Sequence, residues 1–436
     1  MKKSKLLLSL SSVALLAGLT GCGAVKGAEY KPGTAVKVGL ICLHDAASTY
    51  DKNFIDALTE AAKNLGTKVE FTTDCLLTGV NEDEHCYDAA KDLVKKGCNV
   101  IFADSFGHQD YMLQAAKEWP TVQFCHATGT NAKTAKLANY HNAFASIYEG
   151  RYLAGYAAGL RLLADQYNTG STLSPADIPN MKVGYVGAYP YAEVKSGYTA
   201  WFLGVRAAFA DVMVDPAKVT MDVRFTNSWY DPAAEQAAAK ALIDGGCVLI
   251  SQHADSMGAP GECEKNNIPN VTYNIETKTE CPNTYLAYSR INWAPYYENV
   301  VKSLFDGKAI DGEKNNNWTG SLATNSVQFN VNWNNVVKNV PAAMKDTALN
   351  SLQLAFEAKK LSLENDLAKV FDTSKFTVGG KEVTTYLADT DGDFKGDTEV
   401  IVKGTDLAPS FFNESYYCSA PYFDLDIDGI NLPKSN

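Results

Sequence analysis

The 436-residue sequence contains no CxxC pair, HExxH, GxSxG, P-loop or GxGxxG fingerprint. Each absence removes a chemistry: a thiolate zinc site, a zinc hydrolase, a serine esterase, a nucleotide phosphate cradle and a dinucleotide fold. Catalysis needs a nucleophile with its base, a tuned carboxylate pair or a metal. Nothing in the spacing of His126 and His253 ties either to a serine, so a nucleoside hydrolase or phosphatase has no support, and no metal or cofactor is implied. Basic charge is also short, with 39 Lys and Arg against 50 Asp and Glu and a net charge of −11. That balance argues against nucleic acid or an anionic bilayer surface as partner. Beyond the first twenty residues, no stretch is apolar enough to span a membrane.

What is present begins at the N-terminus. Lys2, Lys3 and Lys5 precede an apolar run from Leu6 to Leu19, broken only by small residues. This reads as a signal peptide over 1–21, its apolar core too short for a spanning helix. The run ends Leu19-Thr20-Gly21-Cys22, which resembles a bacterial lipobox. Acylation of Cys22 is therefore expected, holding the protein at the outer face of a cell membrane, with roughly 0.8 kcal/mol from each buried methylene. Small polar residues over 22–35 suit a tether. Nine cysteines remain after Cys22, an odd number. Cys75 with Cys86, and Cys263 with Cys281, lie close enough in sequence to close loops, but spacing does not fix pairing. Cys42, Cys98 and Cys247 lie in apolar strand-like runs and read as inert buried thiols.

From Val36 the pattern alternates short apolar runs with helical periodicity. Strands are predicted at 36–41, 69–71, 99–102 and 121–125, with helices at 53–65, 86–96 and 109–119. The pattern restarts at Lys182 with strands at 182–186, 220–225, 247–251 and 271–273, and helices at 197–209, 232–244 and 293–305. Continuous apolar strands alternating with helices predict an α/β fold of two lobes, each a parallel sheet flanked by helices. The expected division is 36–148 plus about 276–322 for lobe 1. Lobe 2 takes 149–275 plus about 323–436, including an acidic C-terminal extension. In such sheets, ligands bind beyond the carboxyl ends of strands. The post-strand loops hold His44, His108, His126 and His253 with several aromatics, which points to an aromatic, hydrogen-bonding ligand.

Several of these segments, in order and spacing, resemble the basic membrane protein family of ABC-transporter substrate-binding lipoproteins. They are Ser105-Phe106-Gly107, His126-Ala127-Thr128-Gly129, Tyr148-Glu149-Gly150-Arg151, Lys182-Val183-Gly184-Tyr185-Val186, Asn227-Ser228-Trp229-Tyr230-Asp231-Pro232 and Gln252-His253-Ala254-Asp255-Ser256. The resemblance runs from about Val36 to Trp318. It implies a type I periplasmic-binding-protein fold, a purine nucleoside or nucleobase as ligand, and a permease and ATPase as partners.

Carried over by motif, Phe106 and Trp229 would sandwich a purine, each stack giving on the order of 1–3 kcal/mol. Asp255, with His253 beside it, would accept from a base amino group or ribose hydroxyls. Asn274 and Glu276 occupy the family's acidic loop, and Tyr50 and Asp51 the first loop. The purine-binding branch often has tryptophan near position 48, where this chain has Ser48. Asp51-Lys52-Asn53-Phe54 approximates the aspartate-lysine-serine-phenylalanine run of nucleoside-binding members, so Phe54 is the alternative ring to Tyr50. Asp255 is also read as a helix N-cap, Trp229 as a staple between lobes, and Glu149 and Arg151 as hinge contacts. Tyr152 to Gly159 reads as close helix packing. A sugar, amino acid or autoinducer is the alternative ligand, and a sensing lipoprotein without a transporter the alternative role.

The tail beyond Trp318 departs from the resemblance. Asp389, Asp391 and Asp393 resemble the start of a calcium loop, but positions six and twelve are Phe394 and Val400 instead of the required glycine and glutamate. Asp424, Asp426 and Asp428 precede Gly429, but the twelfth position is Ser435. A solvated acidic loop is the expectation for both.

Overall fold

The structure is a computed structural model that describes residues 25–27, 29–166, 174–310, 312–405 and 408–433. The predicted leader and Cys22 lie outside the described residues. Six of the first strands build one sheet: β1 (Val36–Ile41), β2 (Val69–Glu70), β3 (Leu76–Leu77), β4 (Val100–Ala103), β5 (Gln123–Ala127) and β6 (Tyr140–Ala145). The next five build another: β7 (Met181–Gly187), β8 (Val219–Phe225), β9 (Ile250–Gln252), β10 (Asn270–Tyr273) and β11 (Tyr285–Ile291). The chain then returns to the first sheet with β12 (Asn317–Gly320) and to the second with β13 (Val327–Val331). The first sheet is parallel throughout, and the second carries one antiparallel strand, β13. The strands are apolar on both faces because helices cover both. β1, for example, buries Val36, Val38, Leu40 and Ile41.

One boundary expected from sequence is corrected. Residues from about 276 were assigned to lobe 1, but Tyr285–Ile291 hydrogen-bonds between β10 and β13 of lobe 2. Helix Ala294–Phe305, which follows, packs on helix Thr49–Leu65 of lobe 1. The chain therefore crosses at Asn292, and also at Ser146 and between Gly320 and Val327. The crossings are tied together. Ser146 N–H donates to the Gly320 carbonyl at 2.8 Å, Asn292 N–H to the Ser326 carbonyl at 2.8 Å, and Leu322 N–H to the Glu149 carboxylate at 2.7 Å.

Helix Ile147–Gln166 leaves the first crossing and is buried along most of its length against β11, β13 and helix Ala192–Asp211. The two helices touch backbone to backbone. A Cβ on Gly155 would lie 2.0 Å from the Trp201 carbonyl oxygen, and one on Gly204 2.0 Å from that of Tyr152. This is the close packing predicted for Tyr152 to Gly159. The nine cysteines among the described residues are all buried and none forms a disulfide. Cys75 lies nearest Cys98, with the sulfurs 3.8 Å apart, and not Cys86.

The tail is a folded extension. Helix Lys345–Glu364 packs on helix Ile147–Gln166. Two small ribbons follow, β14 (Leu387–Ala388) with β15 (Thr398–Glu399) and β16 (Ile401–Val402) with β17 (Phe411–Phe412). Phe371, Phe412 and Phe423 form its aromatic core, Phe371 stacking on Phe423 at 4.4 Å. β18 (Ile430–Asn431) then adds to the edge of β8 in lobe 2. The acidic run at 424–428 is largely bonded. Lys195 bridges Asp424 (2.7 Å) and Asp426 (3.0 Å), and Asp428 accepts from Thr377, Gly379 and Gly380.

Candidate ligand-binding site

A narrow pocket, with ≈ 20 Å³ of free space, lies where the two sheets face each other at the carboxyl ends of β1, β4, β7 and β9. Lobe 1 contributes His44, Tyr50, Asp51 and Phe106, among others, and lobe 2 contributes Glu193, Trp229, His253 and Asp255. Six residues selected from sequence thus come together: Tyr50, Asp51, Phe106, Trp229, His253 and Asp255. The lobes touch across it. Thr49 N–H donates to the Asp255 carbonyl at 2.9 Å, the His44 and Tyr230 rings lie 5.6 Å apart, and Phe106 and Tyr191 6.0 Å apart.

The helix that presents Tyr50 and Asp51 starts at Thr49, earlier than the expected Asn53. Ser48 caps it, its hydroxyl accepting from Asp51 N–H at 3.3 Å. This extra turn sets the face. Tyr50 donates its hydroxyl to the Asp104 carbonyl at 2.9 Å and lines the pocket. Phe54, one turn later, points into lobe 1 instead, 2% exposed and stacked on Trp293 at 4.4 Å. Phe54 is therefore a core residue, and Tyr50 is the ring at the pocket.

Acidic groups dominate the polar lining. The Asp51 carboxylate accepts from His44 N–H at 2.8 Å and lies 3.4 Å from the His44 ring. Burial alone would raise its pKa, but the His44 and Ser48 contacts outweigh burial and hold it below the usual range. Beneath it, Asp104 is pushed well up by burial and then by the Asp51 charge. Asp255 is also pushed well up, by burial first and then by Asp51 and Glu235. Its side chain accepts from Asn274 at 3.2 Å.

Asp255 does not cap the following helix. That helix starts at Gly258, whose N–H donates to the Ser256 hydroxyl. Asn274 lies behind Asp255 as its support, outside the pocket lining. Glu276 is outside as well, exposed and accepting from Asn330 at 2.9 Å. Trp229 stands among Tyr189 and Tyr191, with ring centroids at 5.1 and 6.0 Å.

Arg151 is not a hinge contact. Its guanidinium is buried beneath the pocket, 3.4 Å over the Tyr273 ring, donating to the Gln252 carbonyl and to His253 Nδ1 at 3.0 Å. An accepting Nδ1 leaves the His253 proton on Nε2, which faces Glu193 at 3.4 Å. Burial, and then the Arg151 charge, lower His253 to about 4, so it stays neutral. Glu149, by contrast, does bridge the crossings through Leu322.

Sequence reasoning missed Glu193, Thr128 and Ser105 as individual lining residues. The loops at 104–108 and 126–129 carried the signal for the last two. Glu193 stands one residue past the loop at 188–192, in the first turn of its helix.

Two α/β lobes joined by three crossings, with a pocket between their strand ends, make the type I periplasmic-binding-protein fold. Solved structures agree on the fold. A solute-binding protein from Conexibacter woesei DSM 14684 is 18% identical with a TM-score of 0.54, over 77% of this chain and 98% of that one. Another, from Aeropyrum pernix K1, is 13% identical with a TM-score of 0.59, over 77% and 93%. The family model for PnrA-like ABC transporter substrate-binding proteins matches residues 38–355. A "purine-binding protein" of Brucella abortus is 33% identical over 298 residues, 68% of this chain and 75% of that protein. A putative ABC transporter glucose-binding protein of Haloferax volcanii is 34% identical over 209 residues, 48% of this chain and 46% of that protein. The chain belongs to the PnrA-like family. It is the extracytoplasmic substrate-binding component of an ABC transporter, not an enzyme, and works with a permease and an ATPase. Among the described residues, no helix is long and apolar enough to cross a membrane.

Proposed function

We propose that the protein captures a neutral purine nucleoside or nucleobase and delivers it to its permease. The observation that carries this reading is a narrow pocket walled by Tyr50, Phe106 and Trp229 and lined by the carboxyl groups of Asp51, Glu193 and Asp255. Flat rings supply stacking faces, and carboxylates accept from ring N–H, exocyclic amino and ribose hydroxyl groups. The guanidinium beneath the pocket, that of Arg151, is already engaged by Gln252, His253 and Tyr273. A phosphate would therefore meet carboxylates without a free cation. The Brucella relative supports the purine, and the PnrA-like family supports delivery to a transporter.

The Haloferax relative favours a second reading, a sugar, since an aromatic and carboxylate pocket also suits a pyranose. Isothermal calorimetry against adenine, adenosine, guanosine, inosine, ribose and glucose separates the two. Sub-micromolar purine binding with silent sugars is expected, and binding of glucose or ribose alone rejects the purine. Trp229→Ala and Asp255→Asn should each weaken binding by about tenfold or more while the fold persists. Unchanged affinity in both removes them from the site.

The same proposal includes a lipid anchor at Cys22, supported by Lys2, Lys3 and Lys5, the run Leu6–Leu19 and the Leu19-Thr20-Gly21-Cys22 sequence. Cys22→Ser should release the protein from the membrane fraction. Persistent membrane association would reject the anchor.

A further inference from the structure

The family match ends at residue 355, so what the extension beyond it does is not inherited from the family. The extension lies along one flank of the cleft and touches both lobes. On lobe 2 it is held by β18 and by the Lys195 bridges. On lobe 1, Ser419 N–H and hydroxyl both meet the Asn317 side-chain oxygen, at 3.3 and 3.1 Å. The 389–394 loop also abuts lobe 1, where a Cβ on Gly392 would lie 2.3 Å from Thr130 Oγ1.

Between extension and lobes lies a chamber of ≈ 610 Å³. It shares Phe106, Thr128 and Glu193 with the ligand pocket, so the two spaces adjoin. Its walls come from three sources: Thr130 from lobe 1, Pro190 and Tyr191 from lobe 2, and Tyr386, Leu387 and Phe394 from the extension. Apolar groups are exposed around it. Phe394 is 96% exposed, Leu387 52% and Tyr191 47%. Phe394 also holds a φ of 64°, a conformation disfavoured for a bulky side chain. The Asp389 carboxylate fixes that turn by accepting from the N–H groups of Asp391, Gly392 and Phe394. Among the described residues, the charged groups lining the chamber are Glu193, Asp389 and Asp424, the last paired with Lys195 at 2.7 Å, and no Lys, Arg or His is itself in the lining.

We propose that the extension makes this chamber a second compartment of the ligand site, which takes an uncharged apolar or aromatic substituent projecting from the ligand in the cleft and turns away a phosphate. The inference rests on the purine reading and adds the substituent class. Apolar walls favour a neutral group through the area it buries, and the acidic rim raises the free energy of an anion there.

Calorimetry on the purified protein tests it with adenosine, 5′-methylthioadenosine, N6-benzyladenosine and AMP. At least one neutral derivative should bind within about threefold of adenosine, and AMP about tenfold or more weaker. Leu387→Arg should recover AMP by about tenfold with adenosine within about twofold. Phe394→Ala should weaken the accepted neutral derivative by about fivefold and leave adenosine unchanged. Exclusion of both neutral derivatives as severely as AMP overturns the proposal, as does a Leu387→Arg effect equal on adenosine and AMP. Failure of the purine reading shows separately, as wild-type protein that binds no purine at all, and it overturns both.

Discussion

Glu414 shows what one buried group does in this protein. Its carboxyl is enclosed by the extension, accepting from the N–H groups of Tyr422 and Phe423, and burial pushes it up to about 8 against those bonds and Ser196. Glu149 and Glu235 are each pushed up to about 7, again by burial first. An unfolded glutamate titrates near its ordinary value of 4.5. Between that value and the folded one, the folded chain holds more protons than the unfolded chain. Stability is therefore full below the unfolded pKa and falls as pH rises through the window. Glu414→Gln keeps the acceptor and removes the proton, so its melting temperature should fall less between about pH 5 and about pH 8 than that of wild type. Parallel profiles would show that Glu414 ionises freely. The same scale sets what was legible in the sequence. Asp51 and Asp255 were visible because their loops follow strands, whereas Phe54 was misplaced because one cap residue, Ser48, starts the helix a turn early and turns that ring to the core.

Among elements, the crossing of helix Ile147–Gln166 with helix Ala192–Asp211 is the tightest joint. Gly155, Gly159 and Gly204 each face a carbonyl oxygen of the other helix, so neither side offers a flexible side chain that can give way there. Gly155→Ala should lower stability by about 1–3 kcal/mol, as overpacked interiors do. Urea denaturation should show a lower midpoint with an unchanged slope, and an unchanged midpoint would mean the helices separate at little cost. The small-residue run made this joint readable. Other elements were not. β6 carries His141 and Asn142 inside an otherwise apolar strand, and both are satisfied from other segments, His141 by Glu313 and Gln123 and Asn142 by Ala132 N–H. β11 carries Ser289 and Arg290, the latter held by Gln328 across the antiparallel pair. Polar residues whose partners come from distant segments erase the apolar run that marks a buried strand. That is why β11, and the crossing at Asn292 with it, were placed in the wrong lobe.

At the scale of the whole molecule, two lobes joined by three crossings can close by a change in the angle between them. A ligand favours the closed form only by the contacts it makes there and not in the open form. Protein contacts across the cleft act in the same direction without ligand. The Thr49–Asp255 hydrogen bond is one, at the mouth of the pocket. Asn317 with Ser419 is another, joining lobe 1 to an extension whose last strand belongs to the lobe 2 sheet. If the extension travels with lobe 2, opening must break the Asn317 contact, and that bond biases the free protein toward closure. Asn317→Ala removes the acceptor and leaves two Ser419 donors without it, a change of about 1 kcal/mol. The expected result is a larger radius of gyration for the ligand-free protein in solution scattering. Dissociation of bound ligand should also be several-fold faster, with the rings and carboxylates of the pocket untouched. A compact variant with unaltered dissociation would mean that the extension flexes with the hinge. Closure would then be set by the ligand and the three crossings alone.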